Sequence, residues 1–173
     1  MIKQTVQDAL NEQINAEIYS SYMYYAMASY FDSISLDGFS HWLRVQALEE
    51  LTHVQKIAGY LNERGGRVNM KAVEAPPNEW DSPLACFEAV YAHECKVTEL
   101  INSLMDLALA ERDHATVSFL NWFVDEQTEE ESNTDAVVQK LKLVDGNKGG
   151  LFMLDREMDA RTFVLPAELT GVF

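Results

Sequence analysis

Glu50 and His53 stand three residues apart in LEELTHVQ, a spacing that puts a carboxylate and an imidazole on one helical face, within reach of a single metal ion. Alone, such a pair is most often a solvated surface couple. Three further acids change the reading. Glu17, Glu94 and Glu130 each interrupt an otherwise apolar helical lane, and Gln127 lies one turn before Glu130. Buried carboxylates without partners cost more than a fold can supply, so such a set is either largely protonated or compensated by cations. No Lys or Arg stands in these lanes at that level. Metal ions are then the compensating charge: four carboxylates balance two divalent ions, and the histidine adds a neutral nitrogen donor. Oxygen-rich sites with one imidazole suit Fe(II) or Mn(II) better than zinc, which favours more nitrogen or sulfur. A purely structural bundle with a protonated polar layer is the alternative on these residues.

Four helices must carry the acids. Glycine and proline cluster at Gly38, Gly65–Gly66, Pro76–Pro77 with Pro83, and Gly146 with Gly149–Gly150, and the long segments between are rich in helix formers. This predicts helices over 4–33, 38–65, 82–110 and 114–143, with a short fifth over 149–160. Asp37 or Ser35 is expected to cap the second, and Asp81 or Ser82, ahead of Pro83, the third. The lane on the first runs Leu10, Ile14, Glu17, Ser21, Tyr24, Ala28, Phe31; that on the second Phe39, Leu43, Gln46, Glu50, His53, Ile57, Tyr60. The third reads Phe87, Val90, Glu94, Val97, Ile101, Leu104, and the fourth Leu120, Phe123, Gln127, Glu130, Thr134, Val137. Each acid lies roughly 12–16 residues into its helix, about 18–24 Å along a rod of about 42 Å. Only midpoints meet regardless of helix direction, so all four acids converge on one layer. Short connections make the first two and the last two helices antiparallel hairpins. The aperiodic stretch from Gly66 to Asp81 is long enough to run up the bundle and make the second and third parallel.

A hydrophobic fraction of 47% in 173 residues supplies the core of one domain, 1–173. Thirteen Lys and Arg against 28 Asp and Glu give a formal net charge of −15, which repels phosphate backbones and concentrates cations; nucleic acid is not an expected partner. The opening MIKQTVQDALNEQ has neither an apolar signal core nor a cleavage site, and no stretch nears the ~18 apolar residues of a membrane span. A cytoplasmic protein with no membrane partner is expected. Cys86 and Cys95, nine apart on one helix, point in different directions and read as reduced thiols.

The segments NEQINAEIYSSYMY, LRVQALEELTHVQ and FLNWFVDEQTEEE resemble the non-haem ferritins of bacteria and archaea, in order and spacing over about residues 5–160. The resemblance implies an all-α, ferritin-like four-helix bundle with one long crossover and a short fifth C-terminal helix. It implies ferroxidase activity and iron storage, with Fe(II) and dioxygen or peroxide as substrates, in a homo-oligomeric shell of 24 chains. Glu50 matches the residue bridging two irons, Glu17 and His53 those completing the first site, and Glu94 and Glu130 those of the second. Gln127 matches a weak-ligand position. Tyr24, beside the acids in its own lane, reads as a nearby electron donor or hydrogen-bond partner. Glu49, Glu126 and Glu129 match acids that hold a third iron nearby. A di-iron peroxidase of the rubrerythrin kind is the runner-up, but such proteins normally add a Cys-x-x-Cys iron domain, and none is present.

Two departures sort the chain among these relatives. Where animal heavy-chain ferritins line a threefold channel with acids, this chain has Val117, Ser118, Phe119, Leu120 and Asn121, so iron is expected to enter elsewhere. Bacterioferritins repeat Glu-x-x-His on the fourth helix and place a haem-ligating Met after the bridging acid. Here the fourth helix reads Gln127, Thr128, Glu129, Glu130, and Leu51 follows Glu50. Protein purified from haem-replete cells is therefore expected to show no Soret absorbance; one haem per two chains overturns the expectation.

Overall fold

A computed structural model of the chain describes residues 1–170, apart from the side chain of Glu168; the last three residues of the expected 1–173 domain lie outside it. The described residues form α1 (Gln4–Ser33), α2 (Asp37–Glu63), α3 (Pro83–Ala110), α4 (His114–Leu143) and α5 (Lys148–Met158), then a 3₁₀ turn, Ala167–Leu169, with no strand among them. None of these helices is long and apolar enough to cross a membrane.

The capping expectations were met at one helix of two. Ser82 accepts from Ala85 N and Pro83 opens α3, contributing no N–H that would need an acceptor. At α2 the N-cap is Leu36, with no side-chain cap; Asp37 sits in the first turn, where its charge faces the positive helix end. Ser35 does not cap because the turn uses it otherwise: at φ 59° it adopts the left-handed conformation that reverses the chain between α1 and α2. Arg112, at φ 55°, does the same between α3 and α4. Three residues thus suffice for each hairpin.

Helix α2 ends at Glu63, two residues sooner than its periodicity suggested, as Gly65 takes φ 73° and Gly66 N bonds back to Leu61 O. The chain then runs along the bundle to Ser82. It is tied to α1 by Asn11, whose amide donates to Arg67 O and whose carbonyl accepts from Asn69 N, and Trp80 packs on Tyr30 at the far end. Lys3 bonds Glu111 while Phe31 packs on Phe87, so α1 and α3 are antiparallel and α2 and α3 parallel, as the crossover length allowed.

The core is two apolar clusters rather than one. Phe31, Phe39, Trp42 and Phe87 pack at one end; Leu10, Ile57, Ile101 and Phe123 at the other. Between them lies a buried polar layer. Helix α5 packs across α2 and α4, and Gly38 permits it: a Cβ there would sit 1.7 Å from Asp155 O. Asp155 in turn accepts from Phe39 N at 3.1 Å. Gly38→Ala is expected to displace α5 and cost about 1–3 kcal/mol through overpacking. Faster amide exchange across residues 148–158 and a lowered unfolding midpoint are the observables.

Candidate metal centre

Every acid expected in the central layer is there, and all are buried: Glu17, Glu50, Glu94 and Glu130, with His53 and Gln127. They come from four helices whose apolar lanes face one axis, each arriving near mid-helix. Among the described residues, Glu17, Glu50 and His53 are the one group of three acidic, histidine or cysteine side chains whose ligand atoms all lie within 4.8 Å of one another. His53 Nδ1 is 3.1 Å from Glu50 Oε2 and 3.8 Å from Glu17 Oε2, and that Glu17 oxygen is buried without a hydrogen-bond partner. Edge contacts with Trp122 and Phe123 fix the imidazole plane. An oxygen-rich triad with one nitrogen and an orphaned buried oxygen suits a divalent cation.

The second half of the layer is engaged internally. Tyr24 donates its hydroxyl to Glu94 Oε1, and Gln127 Nε2 lies 3.3 Å from Glu94 Oε2. Gln46 Nε2 donates to Glu130 Oε2 at 2.9 Å and reaches Glu50 Oε1 at 3.3 Å, while Gln13 Nε2 donates to Glu17 Oε1 at 2.8 Å. Three glutamine amides and one phenol therefore serve four carboxylates without adding a charge.

Burial pushes the Glu50 carboxyl well above its ordinary value, reinforced by the charges of Glu94 and Glu17 against the pull of His53. Burial raises Glu94 to about 7, with Glu130 adding repulsion. Burial alone would lower His53, but Glu50 and Glu17 outweigh it and hold the imidazole well above 6.5. Burial also opposes ionisation of Glu17, yet His53 and Gln13 prevail and its carboxyl lies below 4.5. Without metal the triad thus retains a proton that an arriving cation displaces. Burial and the adjacent acids hold the Tyr24 phenol far above its ordinary value, keeping it a donor.

The three acids beside the layer do not converge. Glu49 is half-buried and ion-paired with Arg161, whose guanidinium stacks over Trp42 at 4.0 Å. Burial lifts Glu49 to about 7 despite that partner. Glu126 Oε1 stands 4.0 Å from His53 Nε2, and Glu129 is exposed. Sequence reasoning missed Arg161, which follows α5 and belongs to no lane. It also missed His93, which lies off the α3 lane: its Nε2 bonds Ser20 Oγ at 2.8 Å, its ring meets Tyr24 edge-on, and burial with nearby Lys96 lowers it to about 4. Cys86 and Cys95 are free, as expected.

Fold and site together define a four-helix bundle with a buried carboxylate layer. Residues 7–144 match the Ferritin family's ferritin-like domain. The chain is 40% identical over 161 residues to a bacterial non-heme ferritin of Bacteroides fragilis, covering 93% of this chain and 100% of that protein. To the bacterial non-heme ferritin of Staphylococcus aureus it is 39% identical over 163 residues, 94% of this chain and 98% of the other. Among solved structures, an open-pore ferritin of the hyperthermophilic archaeon Archaeoglobus fulgidus superposes with a TM-score of 0.93 at 54% identity, covering 94% of this chain and all of that one. An engineered closed form of that ferritin gives 0.94 at 53%, covering 95% of this chain and 100% of that one. The chain belongs to the ferritin family, of the non-haem kind found in bacteria and archaea.

Glu94 makes the metal-free fold pH-sensitive. Its folded carboxyl keeps a proton up to about 7, while the unfolded chain releases one near 4.5. The folded state binds more protons across that window, so stability falls as pH rises through it. His53, raised in the folded state, has the same sign: its contribution is present below 6.5 and is lost as pH climbs through its folded value. In chelator-treated protein, Glu94→Gln is expected to flatten the fall in urea midpoint between pH 4.5 and 7; an unchanged slope counts against Glu94 as its source.

Proposed function

We propose that this chain is an iron-storage subunit that oxidises Fe(II) at the four-acid layer and passes the product to a ferric mineral inside a closed shell of 24 copies. The observation that carries this reading is the buried triad of Glu17, Glu50 and His53, with Glu94 and Glu130 facing it from the other hairpin. Iron is substrate and cargo here. The first Fe(II) takes Glu17, Glu50 and His53; the second takes Glu94 and Glu130, with Glu50 shared between them. Hard carboxylate oxygens stabilise Fe(III) more than Fe(II), which drives the oxidation forward. Two Fe(II) give one electron each to dioxygen, which takes up two protons and leaves as hydrogen peroxide. Peroxide as oxidant takes the same two electrons and two protons to give two waters.

The residues around the irons do the rest. Tyr24 steadies Glu94 by its hydroxyl, and Gln127, a neutral amide where a charged ligand would hold iron tightly, favours release. Glu126 and Glu129 offer a way off the first site, with Glu49 joining them if Arg161 yields its ion pair. Access by way of these acids, rather than past half-buried Val117 and buried Leu120, suits a dehydrated cation better. Assembly is supported by large apolar side chains left exposed: Tyr22 and Tyr25 on α1, Leu48 and Leu51 on α2, and Phe152 and Met153 on α5. A cytoplasmic setting suits the two free thiols.

Aerobic Fe(II) titration with light scattering tests the reading. Uptake of hundreds of irons by a 24-chain particle is expected. Saturation near two per chain points to an oxidoreductase without storage, and no uptake to a structural bundle. Glu50→Ala is expected to abolish fast oxidation while stability holds or rises, as one member of a repelling set is removed. Oxidation at the parent rate overturns the bridging role.

A further inference from the structure

The two halves of the acid layer are unequally ready for metal. Glu17, Glu50 and His53 already converge, whereas Glu130 is turned to a protein donor. That donor is Gln46, 0% exposed, whose single amide nitrogen serves Glu130 on α4 and Glu50 on its own helix. Its carbonyl oxygen is buried with no hydrogen-bond partner among the described residues. Burying an amide acceptor unpaired is unfavourable, so the side chain is held in place by its nitrogen and by packing. Gln13 does something narrower: its amide meets Glu17 alone and leaves the other Glu17 oxygen open.

We propose that Gln46 is a positioning residue, a latch that keeps Glu130 drawn toward Glu50 in the iron-free layer and so sets the affinity for the second ion. The inference rests on the metal-centre reading above. A neutral donor suits the task. It relieves two facing carboxylates without a fixed positive charge that would repel Fe(II), and its bond is weak enough for a cation to replace. When the second ion arrives, a metal–oxygen bond takes the place of the Gln46–Glu130 bond, and breaking the latter subtracts from the affinity. When product leaves, the amide closes on Glu130 again, which favours release over retention. The first ion, whose ligands already converge, meets less opposition from this amide, which reaches Glu50 only at 3.3 Å.

The test is anaerobic titration of chelator-stripped protein with Co(II), whose visible absorption reports coordination at each site. Gln46→Met and Gln46→Leu keep the volume and remove the donor. Both are expected to bind the second Co(II) roughly tenfold more tightly or more, the scale of a hydrogen bond to a charged group, with a smaller change at the first. Gln13→Met is expected to move the first affinity instead. In aerobic turnover the Gln46 variants are expected to show a lower KM for Fe(II) and a lower kcat, since binding improves and release slows. If the apolar replacements fail to fold, Gln46→Asn keeps an amide too short to reach α4 and carries the same expectation. Second-ion affinity that is unchanged or weaker in the folded Gln46 variants overturns the latch, leaving Gln46 as packing or as a support for Glu130 in the loaded site. A parent protein that binds no Co(II) overturns the metal-centre reading itself, a result distinct from two ions bound with unaltered affinities in the variants.

Discussion

Four carboxylates buried at the same height, with no lysine or arginine among them, are the constraint around which this bundle is arranged. Their mutual repulsion in a low-dielectric interior would open the fold if each stood ionised and alone. The protein meets this in three ways at once. Amides from Gln13, Gln46 and Gln127 and the Tyr24 phenol donate to the acids, His53 shares a proton with Glu50 and Glu17, and Glu94 is held partly protonated near neutral pH. None of these devices brings a permanent positive charge into the layer. The layer's carboxylates are thereby relieved of part of their repulsion while the layer stays attractive to a divalent cation.

That arrangement also explains the divided core. Large aromatics dominate the cluster nearest the α1–α2 turn, and aliphatic side chains fill much of the opposite one, so each end closes independently over the polar layer. Apolar burial at about 25 cal/mol per Å² on both sides compensates for a middle that contributes little or is unfavourable. The strain of the acids is therefore carried by packing remote from them, which leaves the ligands free to be chosen for chemistry.

The Arg161 guanidinium, a permanent cation beside the layer, keeps out of it in the same way. It approaches from the segment after α5, bonds Glu49 rather than a lane acid, and rests its planar face on Trp42. It thus tempers acids flanking the centre without entering it. The docking of α5 that brings this segment in depends on Gly38, where any larger residue would strike the Asp155 carbonyl. A small residue at the start of α2 is in this way coupled to the electrostatics beside the centre.

Helix number was legible from glycine and proline punctuation, and the parallel run of α2 and α3 from the length of the segment between them. The lane positions of Glu17, Glu50, His53, Glu94 and Glu130 were legible from periodicity, because burying one stripe per helix requires a 3-4 spacing and leaves an acid in it conspicuous. The convergence of those acids could be argued from their equal depth along antiparallel rods. The partners could not. Whether Gln46 bonds Glu50 on its own helix or Glu130 across the bundle depends on a side-chain rotation and an interhelical distance that no spacing encodes. Nor does sequence reveal that Ser35 is spent on a left-handed turn rather than a cap, that His93 packs against Tyr24, or that Arg161 lies beside Glu49, more than a hundred residues away. Local periodicity determined which residues face inward; only the packing of helices from distant parts of the chain decided which of them touch, and hence which half of the centre stands ready for metal.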